Sequence, residues 1–168
     1  MPQAKPQIDN GVIQRLQQQL ANAFLLYANY KKYHWQTYSP LFRDLHLLFD
    51  EHAQAILGTI DELGERVRML GGDPIADPRQ FIELGTVDIA AADQDMRVMI
   101  EEALSNHASV VQGMRKAIYR ADEVGDQVTA DLLTHILSIH EKQGWFLKEV
   151  IENDDGLIRP VKKTGQER

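Results

Sequence analysis

Hydrophobic residues recur every three or four positions through four long segments of the chain. The first segment runs from about residue 8 to 38, and the second from about 41 to 70. The third fits residues 93 to about 123, and the fourth follows directly after Asp126. This spacing collects apolar side chains on one face of a helix. The pattern predicts four amphipathic α-helices, and no segment shows the alternation typical of a β-strand.

Turn-forming residues separate these segments. A Ser-Pro pair at 39–40 interrupts the first two, because the residue before a proline resists the helical region. A Gly-Gly-Asp-Pro run at 71–74 ends the second segment. Gly125 can adopt the left-handed conformation that closes the third, and Asp126 is a candidate N-cap for the fourth.

The long connection lies between the second and third helices. Residues 73–92 are irregular apart from a predicted short helix at Arg79–Leu84. Short turns make successive helices antiparallel, whereas a long crossover lets the chain return to its starting end. We therefore expect an all-α four-helix bundle with an up-down-down-up course and a short helix in this crossover. It forms a single domain, 1–168, with the bundle at about 8–153 and flexible tails at 1–7 and 159–168.

Composition narrows the class of protein. The 168 residues suit one domain with a sizeable core. No apolar run approaches the ~18–20 residues of a membrane span, and the N-terminus lacks the apolar region of a signal peptide. The absence of cysteine excludes disulfides and thiolate metal sites. We expect a cytoplasmic protein without membrane contact, and its net charge of −7 suits the attraction of cations.

The second helix carries a polar stripe beside its apolar one. At about 100° per residue, His46, Asp50, Asp61 and Glu65 lie about 100° to 200° from the core face. They therefore point out of the bundle. A di-iron centre inside a bundle usually carries Glu-x-x-His pairs, and no histidine here has a glutamate three residues before it. The core face itself comprises Leu45, Leu48, His52, Ile56, Ile60, Leu63, Val67 and Leu70.

Two copies of the second helix would resolve a distance problem in this stripe. Asp50 and Asp61 stand about 16 Å apart along one helix, too far to bind one ion. Antiparallel copies about a two-fold axis near residues 55–56 would bring Asp50 beside Asp61 of the second chain, and His46 beside its Glu65. Such a self-complementary contact is typical of a two-fold dimer. The expected contact at the axis comprises Ala53, Gln54, Leu57 and Gly58.

His34 completes the candidate metal site. The turn at 39–40 makes the first two helices a hairpin, and His34 and His46 are equidistant from residue 40. The hypothesis is a site of His34, His46 and Asp50 from one chain with Asp61 and Glu65 from another. Imidazole and carboxylate ligands suit iron or zinc. The same residue types are also common on helix surfaces, so spacing alone leaves both interpretations open.

These residues also resemble a known family. KKYHW, LH-x3-D, D-x3-ER and the Gly-Gly-x-Pro stop, followed by GDQVTADLL and HEKQGWFL, are similar to the Dps family of mini-ferritins. The resemblance covers about residues 10 to 155. It implies a ferritin-like bundle and a hollow homo-dodecamer with di-iron ferroxidase sites between two-fold-related chains. Such a shell oxidises iron(II), preferably with hydrogen peroxide, and stores iron(III) mineral, which protects against oxidative damage.

The resemblance also implies roles for individual residues. Those matching His34, His46 and Asp50 come from one chain, and those matching Asp61 and Glu65 from the other. Trp35 matches an aromatic residue beside the site that accepts oxidising equivalents, and Lys31 matches a nearby position that is often basic or polar. The acidic residues Asp122, Asp126 and Asp131 resemble those of a three-fold pore that admits iron.

Other polar residues receive simpler interpretations. For Asp126, helix capping precedes the pore role. His52 lies on the core face, and we interpret it as a buried histidine with satisfied nitrogens rather than as a ligand of an additional inward metal site. His107, His135 and His140 form no recognisable constellation and are interpreted as surface or packing residues.

Two alternative functions and DNA binding stay open. The chain could be a DNA-compacting structural protein whose site holds zinc, or a helical oligomer without metal. Some family members bind DNA through basic tails, and the C-terminal tail here offers Arg159, Lys162, Lys163 and Arg168, offset by Glu167. Because every chain carries −7, we expect weak or absent DNA binding at physiological salt.

Overall fold

The computed structural model describes residues 9–38 and 40–152. These residues contain no β-strand and form five helices: α1 Asn10–Gln36, α2 Phe42–Met69, α3 Pro78–Leu84, α4 Met96–Glu123 and α5 Gln127–Glu152. The prediction of an all-α fold with four long helices and a short one in the crossover is confirmed. The predicted tails, 1–7 and 159–168, lie outside the described residues.

Two helical hairpins make up the bundle. Helix α1 packs along α2, and α4 packs along α5. The two pairs meet mainly where α1 contacts α4, with a smaller contact between α2 and α5. The crossover between α2 and α4 lies over α1, which α3 also contacts. The chain therefore follows the course that the turn lengths predict.

The core contains the predicted apolar stripes. On α2, Leu45, His52, Ile56, Leu63 and Val67 are buried, while Asp61 and Glu65 are exposed. The largest fully buried side chains come from all four long helices: Tyr30, Tyr33, Phe49, Leu16, Leu20, Leu26, Ile56, Leu63, Met99, Ile100, Met114 and Leu133. The outward orientation of the polar stripe on α2 is thus a consequence of which face the core uses.

One residue of the expected two-fold contact faces inward. Ala53 is fully buried in the core of its own chain, so its side chain cannot meet a second copy. The prediction was wrong because Ala53 follows His52 on the edge of the core face. Gln54, Leu57 and Gly58 are exposed and remain available for the contact.

Side-chain caps fix where the helices begin. Asp9 accepts a hydrogen bond from the backbone N–H of Val12, and Asp95 accepts one from Val98. The predicted start of the third long helix near residue 93 is wrong, because Asp93 has a φ of 52° and the helix begins after Asp95. A left-handed residue cannot continue into a right-handed helix, so the cap two residues later sets the boundary.

Amide side chains on α1 hold the crossover in place. Asn29 donates to the carbonyl of Asp88 and accepts from the backbone N–H of Ala90, at 2.7 and 2.9 Å. Asn22 accepts from the backbone N–H of Thr86 at 2.7 Å. Across the described residues, no helix combines the length and apolarity that crossing a bilayer requires.

Candidate metal centre

The α1–α2 hairpin brings two histidines together. His34 lies in the last turn of α1 and His46 in the second turn of α2. Their rings stack with centres 3.6 Å apart and an angle of 21° between the planes. Phe42 stacks on the ring of His46, with ring centres 5.0 Å apart. The predicted side-by-side placement of the two histidines is confirmed.

The ring of each histidine is hydrogen-bonded to the backbone of the other histidine. His34 Nδ1 lies 2.7 Å from the carbonyl oxygen of His46, and His46 Nδ1 lies 2.8 Å from the carbonyl oxygen of His34. A carbonyl only accepts, so both Nδ1 atoms must carry the proton. In the neutral imidazole the lone pair is then on Nε2, which is the state a metal ligand needs. The hairpin backbone therefore selects the ligand tautomer of both rings.

Asp50 follows His46 by one helical turn and is paired with Lys31. Lys31 Nζ donates to Asp50 Oδ1 at 2.6 Å, with the two side chains 21% and 38% exposed. The hydrogen bond from Lys31 holds the pKa of Asp50 below its ordinary value. Lys31 Nζ also lies 6.0 Å from the ring centre of Trp35, whose side chain is 71% exposed. Lys31 therefore lies beside Asp50, and Trp35 lies near Lys31.

Asp61 and Glu65 lie elsewhere on α2. They line an open cleft of ≈ 340 Å³ whose walls include Leu20 and Phe24 of α1. Within residues 9–38 and 40–152 of one chain, no three histidine, aspartate or glutamate side chains converge closely enough to hold a metal ion. One chain thus carries two separate groups of candidate ligands on the same outward stripe. That division agrees with the hypothesis of a shared site, which stays a prediction.

The three acids of the expected pore have different surroundings. Asp126 accepts from the backbone N–H of Thr129 at 3.1 Å and pairs with Arg66 Nη2 at 2.6 Å. It therefore caps α5 and ties α2 to it, as the capping interpretation predicts. Asp122 and Asp131 are exposed. The pore role of all three residues stays a prediction.

The interior of the bundle holds a histidine cluster that sequence reasoning missed. His52, His107 and His140 are buried, and burial lowers the pKa of His52 and of His140 to about 4. The predicted burial of His52 is confirmed. Within residues 9–38 and 40–152, however, neither of its ring nitrogens has a hydrogen-bond partner, so the expected satisfaction of these nitrogens is wrong. His107 and His140 are in contact, with Nδ1 atoms 3.1 Å apart.

Helix periodicity carried a signal for this cluster. His107 continues the buried series Met99, Ile100, Ala103 and Val110 of α4, and His140 continues Leu133 and Ile136 of α5. All three histidines therefore fall on core faces. The sequence does not reveal the position of each helix along the bundle axis. That position decides which buried residues contact each other.

Comparisons with known proteins agree with this fold. Residues 13–157 match the family model of the ferritin-like domain. The crystal structure of Dps from Thermosynechococcus elongatus is 46% identical, with a TM-score of 0.85 over 88% of this chain and 94% of that one. DNA protection during starvation protein 1 of Deinococcus radiodurans is 34% identical over 85% of this chain and 70% of its own length. A low temperature-induced protein of Nostoc sp. (strain PCC 7120), described as uncharacterized, is 38% identical over 92% of this chain and 85% of its own.

The fold defines a ferritin-like four-helix protein. The chain belongs to the Dps family within the ferritin-like proteins. Membership of this family supports iron storage and protection against stress as the general function.

Proposed function

We propose that this protein oxidises iron(II), preferably with hydrogen peroxide, and stores the iron(III) mineral inside a hollow homo-dodecamer. The oxidation site contains His34, His46 and Asp50 of one chain with Asp61 and Glu65 of a second. Iron is both substrate and cargo, and zinc can occupy the same ligands. The protein thereby acts as a ferroxidase in the cytoplasm.

The observation that carries this proposal is the reciprocal hydrogen bonding of His34 and His46. Both rings present an unprotonated Nε2 in the neutral state, and the backbone fixes their orientation. Fixed tautomers of this kind are typical of metal-ligating histidines. The carboxylate of Asp50 lies one turn away, and oxygen with imidazole ligands suits iron.

The proposed reaction needs only one-electron changes at iron. Two iron(II) ions each give one electron to hydrogen peroxide, whose O–O bond breaks, and two protons complete two water molecules. Peroxide is thereby removed without release of hydroxyl radical. Trp35, exposed beside Lys31, would supply an electron when only one iron(II) is bound, which makes it the residue where stray oxidising equivalents collect.

Assembly into a shell is supported by the apolar surface of the single chain. Large hydrophobic side chains are exposed on several helices, including Met69 at 70%, Tyr119 at 67% and Val128 at 64%. In the proposed shell, contacts between chains would cover these side chains. In the proposed shell, Asp122 and Asp131 lie at the three-fold pore through which iron(II) enters, while Asp126 mainly caps α5.

Peroxide-driven iron oxidation by the purified protein tests this function. Iron(II) is added anaerobically, peroxide follows, and the iron(III) absorbance is recorded in a stopped-flow instrument. We expect a stoichiometric fast phase that the double variant His34→Ala, His46→Ala abolishes. The matched control is His135→Ala, which changes an exposed histidine of α5. Oxidation at the wild-type rate by the double variant would disprove the site assignment.

DNA binding is proposed to be weak or absent. The basic residues of the C-terminal tail lie outside the described residues, and each chain carries a net charge of −7. Repulsion from the acidic body opposes whatever the tails contribute. A gel shift at about 150 mM salt with and without residues 159–168 measures this, and a tight, tail-dependent shift would contradict it.

A further inference from the structure

Each of the four long helices contributes one polar ring to the same level of the bundle interior. These residues are Tyr30 of α1, His52 of α2, His107 of α4 and His140 of α5. The ring of Tyr30 lies 5.2 Å from that of His52 and 5.7 Å from that of His107. The rings of His107 and His140 are 5.2 Å apart, and those of His52 and His107 are 6.4 Å apart. This cluster is separate from the outward-facing ligands of the proposed oxidation site.

Both ring nitrogens of His107 lie within hydrogen-bonding distance of a buried neighbour. Its Nε2 lies 2.5 Å from the hydroxyl oxygen of Tyr30, and its Nδ1 lies 3.1 Å from Nδ1 of His140. Two Nδ1 atoms facing each other can share only one proton, so one of them presents a lone pair to the other. Ligating histidines usually engage their second nitrogen with an outer partner, as His107 does with Tyr30.

Polar atoms of His52 and Gln143 are buried without a hydrogen-bond partner among the residues that the structure describes. His52 is 4% exposed, and neither of its ring nitrogens makes a hydrogen bond. Gln143, also buried at 4%, donates Nε2 to the carbonyl of His52 but leaves its own Oε1 unpaired. An unpaired buried polar group costs about 1–3 kcal/mol, so such groups usually contact a water molecule or an ion. Three buried polar atoms, two on His52 and one on Gln143, are thus unpaired within the part of the chain that the structure describes.

We infer that this interior cluster binds one divalent transition-metal cation of the zinc class, with His107 Nδ1, His140 Nδ1 and His52 as ligands. Two nitrogens that share a tetrahedral zinc ion stand about 3.3 Å apart, and the His107–His140 pair is at 3.1 Å. Imidazole ligands without carboxylate favour zinc, cobalt or copper over magnesium or calcium. The inference is independent of the proposed iron oxidation, since it uses none of the same residues.

The third ligand has to move to complete the site. Rings on one tetrahedral ion have centres about 5 Å apart, whereas His52 lies 6.4 Å from His107. In the conformation described, the three rings do not yet converge on one point, so His52 has to approach both His107 and His140. Within the described residues, its ring nitrogens make no hydrogen bond that this movement would break. Burial keeps the pKa of all three imidazoles low, so at neutral pH few protons compete with the cation.

Metal titration of the full chain tests this inference. The background carries His34→Ala and His46→Ala, which removes imidazole ligands from the surface site. Co²⁺ alone is added, and its visible absorption bands are recorded. Competition of Zn²⁺ against a chromophoric chelator gives the affinity. We expect about one ion per chain with a tetrahedral spectrum. His52→Gln and His140→Gln should each weaken binding by about tenfold or more, and His135→Gln should leave it unchanged.

Two outcomes would overturn the inference. One is the absence of stoichiometric binding in the background protein, which would mean that water alone occupies the cluster. The other is binding that His52→Gln and His140→Gln do not weaken. Circular dichroism shows whether those variants fold. If they do not, zinc-soaked crystals of the background protein replace them: an anomalous peak between His107 and His140 supports the site, and its absence refutes it.

Discussion

His34 and His46 stack face to face, and each ring donates its Nδ1–H to the backbone carbonyl of the other residue. The end of α1 thereby sets the tautomer of His46 on α2, and the start of α2 sets the tautomer of His34 on α1. A metal site built on these rings depends on the hairpin itself as well as on the two nitrogen ligands. Because each residue supports the other, their contributions to metal binding should not be independent.

The single variants His34→Ala and His46→Ala should therefore be almost as damaging as the double variant. Each change removes one nitrogen ligand and loosens the other ring, so we expect each to slow iron(II) oxidation by about tenfold or more. A double-mutant cycle on the iron(II) affinities from anaerobic titration measures the coupling. Losses that simply multiply in the double variant would show that the two rings act separately.

Lys31 should weaken cation binding at the site. It holds Asp50 Oδ1 at 2.6 Å and places a positive charge where a cation must bind. In Lys31→Met, the freed carboxylate should bind iron(II) about twofold to fivefold more tightly, as expected for release of a partly exposed ion pair. The matched control is Lys32→Met, because Lys32 donates to the carbonyl of Ala90 instead. Anaerobic titration gives the affinities, and equal values for both variants would contradict this role.

The buried histidines should make the folded protein less stable in acid. Burial lowers the pKa of His52 and of His140 from 6.5 to about 4, so the unfolded chain binds more protons below pH 6.5. Their contribution is complete above pH 6.5 and is lost as the pH falls towards 4. At pH 5 each of these two histidines should lower the free energy of unfolding by on the order of 1–2 kcal/mol.

Urea unfolding at pH 7 and pH 5 measures this dependence. His140→Leu should reduce the difference between the two pH values, whereas His135→Leu, at an exposed position, should not change it. The range stops at pH 5 because carboxylates begin to titrate below it. An unfolding free energy that stays constant from pH 7 to 5 would contradict the role of the buried imidazoles.

Much of the fold follows from patterns that act over one or two helical turns. Periodicity and turn-forming residues locate α2 and α5 to within a residue or so, and the short turn before Leu41 is enough to place His34 beside His46. Other features depend on contacts between distant segments. The meeting of His107 with His140 depends on how far two helices slide past each other, which no local pattern encodes. The burial of Ala53 depends likewise on how closely α2 approaches its neighbours.

The exposed residues in the middle of α2 should be required for iron oxidation, although none of them is a proposed ligand. Leu57 is 42% exposed near the expected two-fold axis. Leu57→Glu would place two like charges together in the contact, so it should shift the protein to smaller species and reduce iron oxidation about in proportion. Val98→Glu, at an equally exposed 42% on α4, is the matched control. Light scattering and oxidation rates are compared, and full activity in a dissociated Leu57→Glu protein would argue for a site within one chain.

The central claim is that each oxidation site contains ligands from two chains, and complementation tests this claim most directly. One variant carries His34→Ala and His46→Ala, and the other carries Asp61→Asn and Glu65→Gln. Each alone should be inactive. After the two are dissociated, mixed in equal amounts and reassociated, half of the two-fold pairs are mixed, and each mixed pair has one intact site. Oxidation with peroxide should therefore return to about one quarter of the wild-type amplitude. A mixture that forms mixed shells but stays as inactive as its parents would contradict the account.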